Sequence, residues 1–366
     1  MGKLTTRPMG ARAAAPARPW PAEDLETLRR CPVCRSTQRR PLYISVTDRS
    51  AAKAPGEWNV HRCSQCESGY LDPRPTPESM FRASSPTASR PRGEVARKLR
   101  RLSIALRNGY LNRKHGHELQ PAHPIGYWIH ALRYRVRARL SADLGWLQHH
   151  PPGRLLVIGT NSRTTVETAT GAGWRVTLAC LSDPPPDWAS NLPIQVRSGD
   201  IPEPGASESQ FDMVSFEDSL GRLHDPLATL KRCTTILAPN GRLRVSTPNL
   251  NAIGHGRYRR RWWRLDAPRT LIWFTDDSIS RTIARAGFAV SERPRVYPAA
   301  RRSFLASESV GEPAWLNPLY WVRRLRIEVE AVVADLRVHV QPTRAEDIVL
   351  GAAPAPFALP VTAGIA

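Results

Sequence analysis

Four cysteines carry the clearest chemical signal in the sequence. Cys31-Pro-Val-Cys34 and Cys63-Ser-Gln-Cys66 form two Cys-x-x-Cys pairs with 28 residues between them. Such a turn sets two thiolates on one side of a tight loop, and two turns supply the four sulfurs of a closed tetrahedral zinc site. A four-sulfur shell leaves no open position for substrate, so the expected role is structural. Redox chemistry is the competing reading, but a redox Cys-x-x-Cys usually stands once, at a helix start in a βαβ setting. Zinc contributes roughly 10–16 kcal/mol in small sites of this kind. A module of about 50 residues needs that contribution because it buries little apolar surface. Cys180 and Cys233 sit in apolar surroundings and are expected to be buried.

The elements that must hold these sulfurs follow from local pattern. Pro41-Leu-Tyr-Ile-Ser-Val46 and Trp58-Asn-Val-His-Arg62 alternate like short strands, which gives a zinc ribbon over 27–75. The chain has 366 residues, enough for one large domain behind this module, and 41% hydrophobic residues allow a sizeable core. Residues 1–26 and 354–366 read as tails. Residues 76–150 read as a basic helical linker, with helices expected over 95–112 and 127–149. No apolar run approaches the length of a membrane span, and the Arg/Ala/Pro-rich start lacks a secretion signal core. The expected location is the cytoplasm.

The net charge of +21 is carried almost wholly by arginine, since only positions 3, 53, 98, 114 and 231 are Lys. Abundant Arg, Pro and Ala reflect GC-rich codons as much as function. The charge is nevertheless concentrated: residues 92–139 hold 12 Lys/Arg against Glu94 and Glu118. Such a segment suits a weak contact with an anionic surface; a solvated linker is the plainer reading. Nucleic-acid binding rests on charge alone and is set last.

From Arg154 the pattern changes. Leu155-Leu-Val-Ile-Gly159 is a continuous apolar run of the kind found in buried parallel strands. Trp174–Cys180, Phe211–Ser215 and Arg242–Thr247 repeat it, with helical stretches between and a helix expected over 227–237. Thr275 is placed to cap a helix closing at Gly287. Strands at 288–292 and 347–352 complete the set, giving an α/β, Rossmann-like doubly wound sheet over 151–353.

Seven motifs fall in a telling order. Gly69-Tyr-Leu-Asp-Pro-Arg-Pro75 follows the second cysteine pair. Then come Phe211-Asp-Met-Val214, His224-Asp-Pro-Leu227, Leu237-Ala-Pro-Asn-Gly241 and Ser246-Thr-Pro-Asn249. Arg261-Trp-Trp-Arg-Leu-Asp-Ala-Pro-Arg-Thr-Leu-Ile-Trp-Phe-Thr275 and Ala345-Glu-Asp-Ile-Val-Leu350 close the series. In this order and spacing the chain resembles class I S-adenosylmethionine-dependent methyltransferases, specifically a bacterial group with an N-terminal zinc ribbon. The resemblance covers nearly everything from Cys31 onward. It implies a sheet whose last strand is antiparallel, S-adenosylmethionine as cofactor beside the structural zinc, and a small-molecule, sugar or lipid-linked methyl acceptor.

The same resemblance assigns the site. The family's Gly-x-Gly-x-Gly turn reads Gly159-Thr160-Asn161-Ser162-Arg163 here, so Gly159 is kept and Asn161 and Arg163 replace the other glycines. Val157 stands where the family has an acid near the end of the first strand. Cys180 stands where it has the ribose-binding acid, with Asp183 three residues on. Asp200 matches the position that meets the adenine amine. Arginine at positive φ costs about 1–2 kcal/mol, and a lost charged acceptor about 1.5–3 kcal/mol. Together they weaken cofactor binding by roughly two orders of magnitude. Arg163 is also expected to fill part of the pocket. The family's Glu-His pair after the fourth strand is Gly221-Arg222, and the His of its Pro-Arg-His-Leu is Thr270. Glu217, Asp218 and His224 are the candidates for general-base chemistry at the end of the fourth strand, while Asp225 reads as a helix start. These departures leave an alternative open: an inactive homologue kept for binding or regulation.

Overall fold

The zinc-ribbon segment folds as a small antiparallel sheet. Its strands are β1 (Leu25–Glu26), β2 (Arg39–Val46), β3 (Trp58–Cys63), β4 (Gly69–Leu71) and β5 (Arg74–Pro75). β2, β3 and β4 pair as a meander, and β1 pairs with β5. Alternation buries Trp58 and Val60 in β3 and leaves Asn59 and His61 half-buried. The computed structural model describes residues 19–50, 54–83, 94–159, 163–181, 185–199, 201, 210–294, 299–308 and 318–355.

Three helices follow: α1 (Glu94–His115), α2 (Ile125–Leu132) and α3 (Tyr134–Leu144). The helix expected over 127–149 is thus divided at Arg133, where φ is −97° and ψ is 76°. The two halves answer to different neighbours. α2 lies so close to α1 that a Cβ on Gly126 would meet the Leu106 carbonyl oxygen at 2.0 Å, so only glycine fits. In α3, Arg135 is drawn instead to Glu328 and Asp335 near the C-terminus. The apolar spacing therefore does not mark one core face. Leu144 and Leu147 are buried, whereas Trp128 and Leu132 are exposed.

The large sheet is built from β6 (Arg154–Ile158), α4 (Arg163–Gly171), β7 (Arg175–Cys180), β8 (Gln195–Ser198), β9 (Phe211–Glu217), α5 (Pro226–Ile236) and β10 (Leu237–Pro248). The chain continues through α6 (Ile253–Tyr258), β11 (Ile272–Trp273), α7 (Asp276–Arg285), β12 (Phe288–Glu292), α8 (Ala300–Glu308), α9 (Pro318–Val340) and β13 (Asp347–Pro354). Seven strands lie in the order β12-β13-β10-β9-β6-β7-β8. β6 to β10 are mutually parallel where they pair, and the last strand, β13, is antiparallel to both its neighbours. The expected α/β architecture is present.

Both faces of this sheet are covered. In β6, Leu156 and Ile158 enter the core shared with the ribbon, while Leu155 and Val157 enter a second core with Tyr110, Leu111 and Trp146. The basic segment thus contributes a packed layer. Helix starts obey local chemistry. Asp225 accepts the Ala228 N–H at 3.0 Å with Pro226 in the first turn, and Thr275 and Ser278 form a reciprocal capping box.

One strand ties the two parts together. β11, from the segment after β10, pairs with β4 and extends the ribbon sheet to the order β11-β4-β3-β2. Gly221 is required by the same contact: a Cβ there would lie 2.3 Å from the Ile272 carbonyl oxygen. No described helix is long and apolar enough to cross a membrane.

Candidate functional site

The two cysteine turns repeat one geometry. The Cys31 N–H donates to the Ser36 carbonyl and the Arg35 N–H to the Cys31 carbonyl; the Cys63 N–H donates to Ser68 and the Glu67 N–H to Cys63. Arg35 and Glu67 hold positive φ (69° and 62°) to close the loops. The four Sγ atoms lie within 4.8 Å of one another, with Cys31–Cys66 at 3.7 Å and Cys34–Cys63 at 3.5 Å. Zinc–sulfur bonds of about 2.3 Å require sulfur–sulfur edges of about 3.8 Å, so Cys31, Cys34, Cys63 and Cys66 fit a tetrahedral zinc ion. Hydrogen bonding with Cys31 draws the Cys66 thiol pKa down.

The Gly-Tyr-Leu-Asp-Pro-Arg-Pro run is the joint between ribbon and sheet. Buried Asp72 accepts the Leu28 N–H at 2.8 Å and pairs with Arg39. Arg74 pairs with Glu26 and donates to the His224 carbonyl at 3.0 Å. The His224 ring binds back, with Nε2 2.9 Å from the Pro75 carbonyl oxygen. Burial pushes its pKa down, so the neutral imidazole donates to that carbonyl.

At the carboxyl ends of β6, β7 and β9 the sequence-predicted cofactor residues separate. Gly159 has φ +138°, and a Cβ there would stand 2.6 Å from the Glu217 carbonyl oxygen. This close approach brings the end of β6 against that of β9, and Ser219 Oγ fixes it by donating to the Ile158 carbonyl at 2.5 Å. Cys180 ends β7 fully buried, in the second core. Asn161, Asp183 and Asp200 lie outside the described residues. Arg163 departs from expectation. It opens α4 with helical geometry rather than positive φ, and its guanidinium pairs with Glu167 at 2.8 Å and lies over Trp188 at 5.9 Å. Arg100 of α1 joins the same carboxylate at 2.6 Å. Among the described residues, Gly159 is thus required by the packing of β6 against β9, and Cys180 offers no carboxylate.

Glu217 and Asp218 are engaged differently. Glu217 accepts from Ser215 Oγ at 2.7 Å and from Arg244 Nη1 at 2.8 Å. Arg244 is itself buried in β10, with its guanidinium over Trp146 at 5.0 Å. Asp218 has φ +54°, and Arg264 donates to its Oδ2 at 2.6 Å. Its other oxygen, Oδ1, is buried with no hydrogen-bond partner among the described residues. Arg264 also pairs with Asp347 at the start of β13. A small cleft of about 50 Å³ opens beside the Arg264–Asp347 pair, lined by Arg139, Trp263, Arg264, Arg302, Glu346 and Asp347. The Glu346 carboxyl is desolvated and its pKa raised, although Ser303, the Gly254 N–H and the Trp262 indole all serve it.

Arg244, Arg264 and Asp347 escape sequence reasoning. Arg244 leaves one trace, a charge inside an apolar strand run. Arg264 is legible only as a member of the Arg261–Thr275 motif, and nothing local marks Asp347 as its partner.

Residues 128–293 match the family described as "Methyltransferase domain". A methyltransferase domain therefore spans residues 128–293, and a four-cysteine cluster consistent with a zinc ribbon precedes it. Among solved structures it is similar to an S-adenosylmethionine-dependent methyltransferase from Mesorhizobium loti (15% identity, 59% of this chain and 99% of that one, TM-score 0.38). It is also similar to the Burkholderia thailandensis 1,6-didemethyltoxoflavin-N1-methyltransferase (16% identity, 70% and 89%, TM-score 0.37). A third similar structure is a methyltransferase from Archaeoglobus fulgidus (12% identity, 61% and 93%, TM-score 0.36). No curated protein matches the chain.

Proposed function

We propose that this domain transfers a methyl group from S-adenosylmethionine to a small-molecule, sugar or lipid-linked acceptor, with Asp218 at the end of β9 as the general base. The observation that carries the reading is the state of Asp218: positive φ, one oxygen fixed by Arg264, the other buried without a donor. Strained backbone and unsatisfied polar atoms of this kind cluster at functional sites. The bound cofactor supplies an electrophilic methyl, and catalysis then needs mainly in-line positioning of the acceptor. Asp218 Oδ1 accepts the proton of an acceptor hydroxyl or amine. Arg264 holds the carboxylate in place. Glu217, committed to Arg244 and Ser215, and His224, committed to the Pro75 carbonyl, act as positioning residues.

A second reading, an inactive binding homologue, is favoured by one observation: buried Cys180 ends β7, where the family resemblance would put a ribose-binding acid. Transfer of labelled methyl from S-adenosylmethionine into small-molecule, glycan and lipid extracts separates the two. Labelled product that disappears in Asp218→Asn supports the enzyme. Cofactor binding with no label in any fraction supports the binding homologue.

A further inference from the structure

Helix α9 has two apolar faces, and the fold uses one. Ile327, Ala331, Ala334 and Val338 are buried against the body of the protein. On the opposite side Val322, Leu325, Val329, Val332, Leu336 and Val340 are exposed, Leu336 by 62% and Val340 by 82%. These positions recur at three- and four-residue spacing, so they form one stripe along a helix of about 35 Å. The stripe continues onto a neighbour. Tyr134 Oη lies 3.3 Å from His339 Nε2, which sets the start of α3 beside the end of α9. Leu132, 87% exposed at the end of α2, stands two residues before Tyr134 in the chain, and Trp128 is exposed one turn earlier.

The charges around the stripe are sorted by sign. Glu328 is paired inward with Arg135 and Arg301, Glu330 with Arg257, and Asp335 with Arg135. None of these three acids is exposed, whereas Arg323 and Arg326, both paired with Glu308, and Arg337 are exposed along one border and Arg133 on the other. An apolar stripe whose borders carry more arginines than acids, with tryptophan at its margin, matches an anionic lipid surface: aliphatic side chains enter the acyl boundary while guanidiniums reach phosphates. A twofold pairing of two copies would instead bring arginine borders together on a chain of net charge +21.

We infer that the α9 face, with the end of α2, docks this protein on anionic membrane surfaces. The inference is independent of methyl transfer. The test is co-sedimentation of the full zinc-loaded chain with phosphatidylcholine vesicles, with and without phosphatidylserine, at physiological ionic strength. Sedimentation equilibrium reports its oligomeric state. The expected result is binding that requires phosphatidylserine and falls by about tenfold or more in Leu325→Glu/Leu336→Glu, in a monomer whose thermal melt is unchanged. Arg326→Gln/Arg337→Gln, which leaves the stripe intact, is expected to weaken binding and its salt dependence. Equal binding to neutral vesicles, or binding indifferent to both double variants, would overturn the inference. So would a dimer that the glutamates dissociate, since a second copy would then be the occupant.

Discussion

A carboxylate oxygen buried without a donor costs roughly 1–3 kcal/mol, and a non-glycine residue at positive φ adds a cost of similar order. Asp218 carries both. Nothing in the packing demands an aspartate there, because Arg264 is also held by Asp347. Asp218→Asn is therefore expected to fold normally and to lose about 10²- to 10⁴-fold in turnover on a hydroxyl or amine acceptor. A variant that keeps full turnover would remove Asp218 from the chemistry. At Cys180 the argument concerns affinity. Cys180→Asp should restore a charged acceptor and tighten S-adenosylhomocysteine binding by roughly 10- to 100-fold, while lowering the melting temperature of the ligand-free protein, because the position is fully buried. Unchanged affinity would refute the assignment of Cys180 to the ribose site.

Elements were legible where one face or both faces of a strand or helix were buried, and illegible where pairing was long-range. The apolar run ending at Gly159, the capped helix after Thr275 and the ribbon strands read directly from pattern. β8 did not, since all four of its residues are exposed at the sheet edge. β11 did not either: two residues become a strand only because β4 lies opposite. The break at Arg133 was hidden because helical spacing continues through it. The candidate site was half legible. Gly159, Glu217 and Asp218 followed from motif order, but the arginines that engage Glu217 and Asp218 come from elements distant in sequence. The contact between α6 and β2 gives a pH test at this scale. Buried His255 has Nδ1 2.6 Å from the Leu250 carbonyl oxygen and Nε2 2.8 Å from Tyr43 Oη, and burial pushes its pKa down to about 4. In the unfolded chain it titrates near 6.5. The unfolded state thus takes up the proton first as pH falls. The contribution is complete above about pH 6.5 and is lost as pH falls toward about 4, on the order of 3 kcal/mol in all. Urea unfolding between these limits should be steeper in pH for the wild type than for His255→Gln; identical slopes would contradict the buried neutral ring.

Across the whole molecule the ribbon and the methyltransferase domain are one structure. The ribbon core and one face of the large sheet form a single apolar cluster, β11 completes the ribbon sheet, and Arg285 donates to the Val33 carbonyl inside the first cysteine turn at 2.7 Å. Metal analysis is expected to find one zinc per chain, and Cys63→Ser should lower the melting temperature of the entire protein in one cooperative step. A chain without zinc, or a variant that melts like the wild type, would contradict the clasp. The central claim, that the retained Gly159 edge still serves a methyltransferase, is tested most directly by calorimetric titration of the zinc-loaded chain with S-adenosylmethionine and S-adenosylhomocysteine. The account predicts saturable heat with both ligands at concentrations below millimolar. No heat at millimolar ligand would contradict it.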